Sequence, residues 1–346
     1  MSESTLSRQT TLLPWHREVF AHIWRLRDSG RLGHAWLLGG HAGTGKLQFG
    51  LHLAGSLLCE QGSSAGPCDH CSACHLFAVG THPDFHPIRP EKRLITIEQI
   101  REGIEFAQNT SQRNGMKVLL LEPAEAMNGN AANALLKLLE EPPARTLLLL
   151  VCHQPGLLLA TIRSRCQLLR CPLPDTAQAL AWLRQQRPAG NTETALRKAS
   201  GAPLLALTWL DADQAGNQAL VLATLQEVLS EELPPLVAAR RCEKLDLPAI
   251  LDYLLRGTTA LLQHLQAAVA LPDDEFAPLA ARLTQRLDTD EAVRRLHDLY
   301  QAMQSSRQTA LASNNANRLL LLESCFVRWR RLLRTERARP QLTHMN

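Results

Sequence analysis

The stretch Ala35-Trp36-Leu37-Leu38-Gly39-Gly40-His41-Ala42-Gly43-Thr44-Gly45-Lys46-Leu47 carries the decisive signal for the fold. Four apolar residues, too few for a helix, read as a short buried strand that Gly39 and Gly40 end. Residues 46–58 then read as a helix. Between the two lies G-x-x-x-x-G-K, the spacing of a phosphate-binding loop in its required strand–turn–helix setting. Glycines there let backbone N–H groups curl around an anion, and the helix N-terminus favours negative charge. Gly40, Gly43, Gly45 and Lys46 are therefore the candidate nucleotide-binding residues, with Lys46 reaching the outer phosphates. The alternative is a glycine-rich turn kept for its backbone geometry alone.

The loop breaks its own pattern at the end. A hydroxyl that binds magnesium belongs at the last position, and Leu47 has none. A second element is damaged too. Lys117-Val118-Leu119-Leu120-Leu121 reads as a buried strand that should finish in an Asp for magnesium and a Glu to orient water. It finishes in Glu122-Pro123. Glu122 keeps a carboxylate, but Pro123 offers no base. Because phosphoryl transfer is nearly all positioning and charge stabilisation, two losses in one site argue against hydrolysis by this chain. Whether the backbone cradle still takes ATP and magnesium stays open at this level.

Working outward, strand-like and helix-like segments alternate through the first half. Phe85-His86-Pro87-Ile88 is a strand candidate that Pro87 restricts to a strand end or an irregular strand. Thr96 and Gln99 have the form of a capping box opening a helix. Residues 130–141 read as a helix with Ala132, Leu135, Leu136 and Leu139 on one face, stopped by Pro142-Pro143. Residues 146–151 read as the next buried strand. This alternation predicts an α/β domain with a parallel sheet covered by helices on both faces. After about residue 172 the strand signal ends. Residues 176–210 read as a small helical module. Long Leu/Ala helices follow at 216–231, 248–270, 290–312 and 314–333, broken at Pro234-Pro235 and at Pro272-Asp273-Asp274, with a basic, polar tail from Arg334.

Cys59, Cys68, Cys71 and Cys74 follow the spacing C-x8-C-x2-C-x2-C. Two interlocked Cys-x2-Cys pairs bend adjacent thiolates onto one ion, and Cys59 supplies a fourth ligand, which predicts a structural zinc site with no open position for catalysis. Four small buried hydrophobes are the bland alternative. An iron–sulfur cluster would want a closing Cys-Pro, and His75-Leu76-Phe77 follows Cys74 instead. His70 and His75 are spare ligands. The other five of the nine cysteines are scattered, as in a reducing cytoplasm rather than a disulfide framework. The opening Met-Ser-Glu-Ser-Thr predicts no signal peptide, and no stretch reads as a membrane helix. The net charge of +4 permits contact with nucleic acid without demanding it. Arg328, Arg330, Arg331 and Arg334 read as a solvated helix face, and Trp15, Trp24 and Trp36 as core aromatics.

Several segments together resemble a known family. They are the four-cysteine spacing, Gly80-Thr81-His82-Pro83-Asp84, residues 131–143 (Ala-Ala-Asn-Ala-Leu-Leu-Lys-Leu-Leu-Glu-Glu-Pro-Pro), and Leu159-Ala160-Thr161-Ile162-Arg163-Ser164-Arg165-Cys166. The chain resembles the delta-prime subunits of the bacterial DNA polymerase III clamp loader, an AAA+ family, densely over residues 12–172 and loosely beyond. The tau/gamma subunits share the motifs around 131–143 and 164–166. The broken nucleotide elements point to delta-prime.

The resemblance implies an arginine finger at Arg165, with Arg163 nearby, reaching into a neighbouring subunit's ATP site. The alternative for Arg165 is a surface salt bridge. Two more departures follow from the resemblance. Cys152-His153 stands where active loaders carry Thr or Asn, and Leu204, in Gly201-Ala202-Pro203-Leu204, stands where they carry Arg. The expected architecture is a zinc-bearing AAA+ domain (1–172), a helical lid (173–213) and an all-helical collar for oligomerisation (214–346). The expected role is a stator that donates its finger while tau/gamma and delta partners load the sliding clamp onto primer–template DNA in the cytoplasm. The rivals are an active DNA-stimulated tau/gamma-type ATPase and a stand-alone zinc-dependent nucleic-acid-binding protein.

Overall fold

The computed structural model describes residues 11–91, 94–113, 115–188, 190–210, 212–267, 271, 275–312 and 317–333. The break expected at 272–274, residues 314–316 of the expected last helix and the tail from Arg334 lie outside the described residues. The chain divides into two compact units after Thr208.

The first unit is built on five parallel strands: β1 (Ala35–Gly39), β2 (Phe85–Ile88), β3 (Lys117–Leu121), β4 (Thr146–Cys152) and β5 (Gln167–Arg170). Their order is β2-β3-β4-β1-β5. Every residue of β1, β3 and β4 is buried. That is the signature of a sheet covered on both faces, and it explains why these strands are apolar throughout apart from Lys117 and Thr146 at the starts of β3 and β4. In register, Leu37 faces Leu150 of β4 on one side and Leu168 of β5 on the other. Two cores result. One face packs Phe20, Ile23, Trp24, Phe49 and Leu53 against Trp36, Leu38 and Leu149. The other packs Ile100, Leu135, Leu138 and Leu139 against Leu37, Leu119 and Leu148.

The helices of this unit are α1 (Arg17–Asp28), α2 (Lys46–Leu58), α3 (Ser72–Ala78), α4 (Ile97–Gln108), α5 (Gly129–Glu140), α6 (Ala160–Arg163), α7 (Thr176–Gln186), α8 (Thr192–Lys198) and α9 (Pro203–Trp209), the last ending at the division. The capping box at Thr96 and Gln99 is formed. β2 tolerates Pro87 because it is an edge strand, paired among the described residues only with β3. On α5 the buried face is Ala131, Ala132, Leu135, Leu138 and Leu139, so Leu138 takes the place expected for Leu136.

The second unit is helical: α10 (Ala212–Leu229), α11 (Pro235–Cys242), α12 (Leu247–Ala267), α13 (Ala277–Arg286), α14 (Thr289–Ala312) and α15 (Arg318–Leu332). Pro235 opens α11 instead of only breaking a helix, since a first-turn proline sacrifices no internal bond. Trp329 and Phe326 are fully buried in this unit. Among the described residues no helix is long and apolar enough to cross a membrane.

Candidate functional site

The carboxyl end of β1 is a switch point. The chain leaves β1 toward β2 on one side, while β5 pairs on the other, and open α/β sheets bind ligands at such a crevice. The Gly40–Lys46 loop sits there. Its lysine does not point outward. Lys46 is 2% exposed, and its Nζ donates to Gly40 O at 2.7 Å and His41 O at 2.6 Å. Burial lowers the pKa of its ammonium, opposed by the fields of Cys171, Glu125, Cys152 and Glu122. The residue that should reach phosphate thus ties the loop to itself.

The loop's outer side is also in contact with protein. Leu204 N donates to Gly43 O at 3.0 Å, joining the first turn of α9 to the loop backbone. Gly43 has φ +77°, and a Cβ there would lie 2.7 Å from Leu205 Cβ; Gly45 has φ +88°, and its Cβ would lie 2.2 Å from Leu13 Cδ1 and 3.0 Å from Leu204 Cδ1. Glycine is required at both positions by backbone conformation and by close approach. Thr44 is fully buried, its Oγ1 donating to His41 O at 2.9 Å and its own carbonyl accepting from Trp15 Nε1 at 2.8 Å. Leu47, in the hydroxyl position, packs against the core.

The second element is turned inward as well. Arg89 Nε pairs with Glu122 Oε2 at 3.3 Å, and burial raises the Glu122 carboxyl against the pull of Arg89. Glu125 Oε1 accepts from His153 N at 2.8 Å and Gln154 N at 3.1 Å, fixing the turn after β4. Cys152 is fully buried, and burial, then Glu125, pushes its thiol up to about 12, so it is a neutral group at the end of its strand.

Arg165 lies outside this constellation, just after α6. Its Nη2 is 2.7 Å from Glu140 Oε1, and its Nη1 donates to Thr161 O at 3.0 Å. Its side chain is 36% exposed, so the head group remains accessible. Arg163 Nη1 contacts Pro155 O at 3.4 Å.

Cys59, Cys68, Cys71 and Cys74 converge. Their sulfurs all lie within 4.8 Å of one another, with Cys59–Cys71 at 3.8 Å and Cys68–Cys74 at 3.9 Å. A tetrahedron with ~2.3 Å zinc–sulfur bonds has edges of about 3.8 Å, so the spacing fits a four-thiolate metal site. Backbone N–H groups are aimed at the sulfurs. Gln61 N and Cys68 N each lie 3.3 Å from Cys59 Sγ, and Cys74 N lies 3.4 Å from Cys71 Sγ, which N-caps α3. Such donors stabilise thiolates, the form that binds metal. Among the described residues His70 and His75 are not part of the cluster, and four sulfurs fill it.

Sequence reasoning missed three participants. Glu125 carries no motif, and its bonds to residues 28 and 29 positions away are invisible to local pattern. Leu205 was part of an ordinary helix start. His16 is fully buried, edge-on to Phe49 at 5.3 Å between ring centroids, in a segment without periodicity.

The family model described as "DNA polymerase III, delta subunit" matches residues 15–174. A DNA polymerase III subunit delta' of Pseudomonas aeruginosa is 37% identical over 325 residues, covering 92% of this chain and 97% of that protein. Those of Yersinia pestis and Escherichia coli are 33% and 31% identical, covering 93% and 91% of this chain and 96% and 94% of theirs. With more than nine-tenths of both chains aligned in each case, this chain belongs to the DNA polymerase III subunit delta' family.

Proposed function

We propose that this chain is the stator of a DNA polymerase III clamp loader, completing a neighbouring subunit's ATP site with Arg165 and hydrolysing no ATP itself. The carrying observation is Lys46, whose ammonium is taken by Gly40 and His41 of its own loop. Every cis element is diverted: Lys46 inward, Leu47 into the core, Glu122 to Arg89, and Leu204 onto the loop. Arg165, by contrast, keeps a charged head group at the surface. A guanidinium supplied in trans stabilises the charge of phosphoryl transfer and is worth 10³–10⁵ in rate in such enzymes. Gly40, Gly43, Gly45 and Lys46 then serve as a structural turn and leave ATP and magnesium to the partner. A motor of the tau/gamma type would need Lys46 to abandon both carbonyls.

Zinc is the metal we assign to the cysteine cluster, as a structural ion, because four thiolates leave no coordination position for water. The partners in this reading are tau/gamma and delta subunits in a ring, acting on the sliding clamp and primer–template DNA in the cytoplasm. Residues 1–172 form the AAA+ domain, 173–213 the lid and 214–346 the collar. The test is ATP hydrolysis by the isolated chain and by a reconstituted loader carrying wild-type chain or Arg165→Ala. Hydrolysis by the isolated chain, or an unaffected loader, would sink the reading.

A further inference from the structure

We infer that Glu140 is a positioning residue, an anionic restraint that parks Arg165 on its own chain until a neighbour's nucleotide phosphate displaces it. This rests on the finger reading of Arg165. Both terminal nitrogens of the guanidinium are engaged within the chain, Nη2 by Glu140 Oε1 at 2.7 Å and Nη1 by Thr161 O at 3.0 Å. A finger offers those same N–H groups to phosphate oxygens, so Glu140 and an incoming phosphate compete for one fork.

The geometry suits a reversible restraint. Glu140 is the last residue of α5, ahead of the Pro142-Pro143 stop, and Arg165 lies just past the Ser164 C-cap of α6, which contacts α5. The carboxylate is therefore fixed to a packed helix and not to a loop. The pair is open to solvent, at 36% exposure for Arg165 and 51% for Glu140. An exposed ion pair is weak and exchanges readily, unlike a buried one. ATP bound next door presents more negative charge than one carboxylate and wins the guanidinium. A site that lacks its outer phosphate competes less well and leaves the arginine with Glu140. Glu140 thus biases the finger toward an ATP-filled neighbour without touching the nucleotide.

The test is hydrolysis without DNA by a loader reconstituted with wild-type chain, Glu140→Gln, Arg165→Ala or the double variant, each checked for assembly by gel filtration. Expected is a two- to fivefold rise for Glu140→Gln at low salt, the scale of an exposed pair. The rise fades as salt screens the pair, and it is absent from the double variant, which matches Arg165→Ala. A merely structural Glu140 would give neither the salt convergence nor the dependence on Arg165. If Arg165→Ala slows the loader and Glu140→Gln leaves the rate unchanged or lowered, the restraint is overturned and the finger stands. A gain that persists in the double variant also overturns it. If Arg165→Ala changes nothing, the finger reading falls and the restraint with it.

Discussion

The ammonium of Lys46 lies 2.7 Å from the carbonyl oxygen of Gly40, six residues back on the same loop. A lysine in a working phosphate loop keeps its charge for the ligand; here two backbone oxygens hold it. Isothermal titration of the isolated chain with magnesium-ATP should show no saturable binding. Lys46→Met should destabilise the fold by about 1–3 kcal/mol, because the two carbonyls lose a charged donor. In melting temperature that is about 3–8 °C. Saturable ATP binding together with an unshifted melting temperature in Lys46→Met would contradict the self-tied loop.

Gly43 should not accept a side chain. Its φ is +77°, and a Cβ would stand 2.7 Å from Leu205 Cβ, while its carbonyl receives Leu204 N. Gly43→Ala should cost about 1–3 kcal/mol from backbone strain and from separating α9 from the loop. Limited proteolysis near residues 199–203 should quicken in the variant. A wild-type cleavage pattern with unchanged stability would show that α9 does not depend on this contact.

Acid should weaken the first unit through His16. Its ring is fully buried, and among the described residues neither nitrogen has a hydrogen-bond partner. Burial, with Lys46 adding to it, holds its pKa at about 4 against an ordinary 6.5. Between those values the unfolded chain takes up a proton that the folded chain refuses, so stability is full above about pH 7 and falls as pH drops toward 4. At pH 5 the linkage amounts to about 2 kcal/mol. Urea unfolding of wild-type and His16→Phe at pH 7.5 and pH 5 reads it: wild-type should lose about 2 kcal/mol more than the variant. Equal losses would remove His16 from the explanation.

One zinc per chain is expected on purification, measured by atomic emission. Cys71→Ser should abolish stoichiometric zinc and open residues 59–80 to protease, because Cys71 belongs to the four-sulfur cluster and caps α3. Arg165 and its segment lie elsewhere, so a loader carrying the variant chain should retain finger-dependent hydrolysis if it assembles. Full zinc occupancy in Cys71→Ser, or a metal-free wild-type chain with the same protease resistance, would contradict the assignment.

Legibility followed how local each signal was. β1, β3 and β4 are buried on both faces, and their unbroken apolar runs announced them within a residue. The start of α2 at Lys46, the capping box at Thr96 and the cysteine cluster are likewise written in short spacings. β5 was missed because an edge strand exposes three of its four residues and shows no apolar run. α11 and α13 were missed because each is short and begins beside a proline, which reads as a break before it reads as a first turn. At the site, sequence located the damaged positions but not what replaced the ligand. That Leu204 would settle on Gly43 depends on packing across roughly 160 residues of chain.

The most direct measurement is DNA-stimulated ATP hydrolysis by a reconstituted loader containing either wild-type chain or Arg165→Ala, beside the isolated wild-type chain. The isolated chain should be inactive. Arg165→Ala should lower the loader's rate at least tenfold, about 1.4 kcal/mol in barrier, with assembly intact. Hydrolysis by the isolated chain, or an assembled Arg165→Ala loader running at the wild-type rate, would contradict a chain that has given up its own site and completes another's.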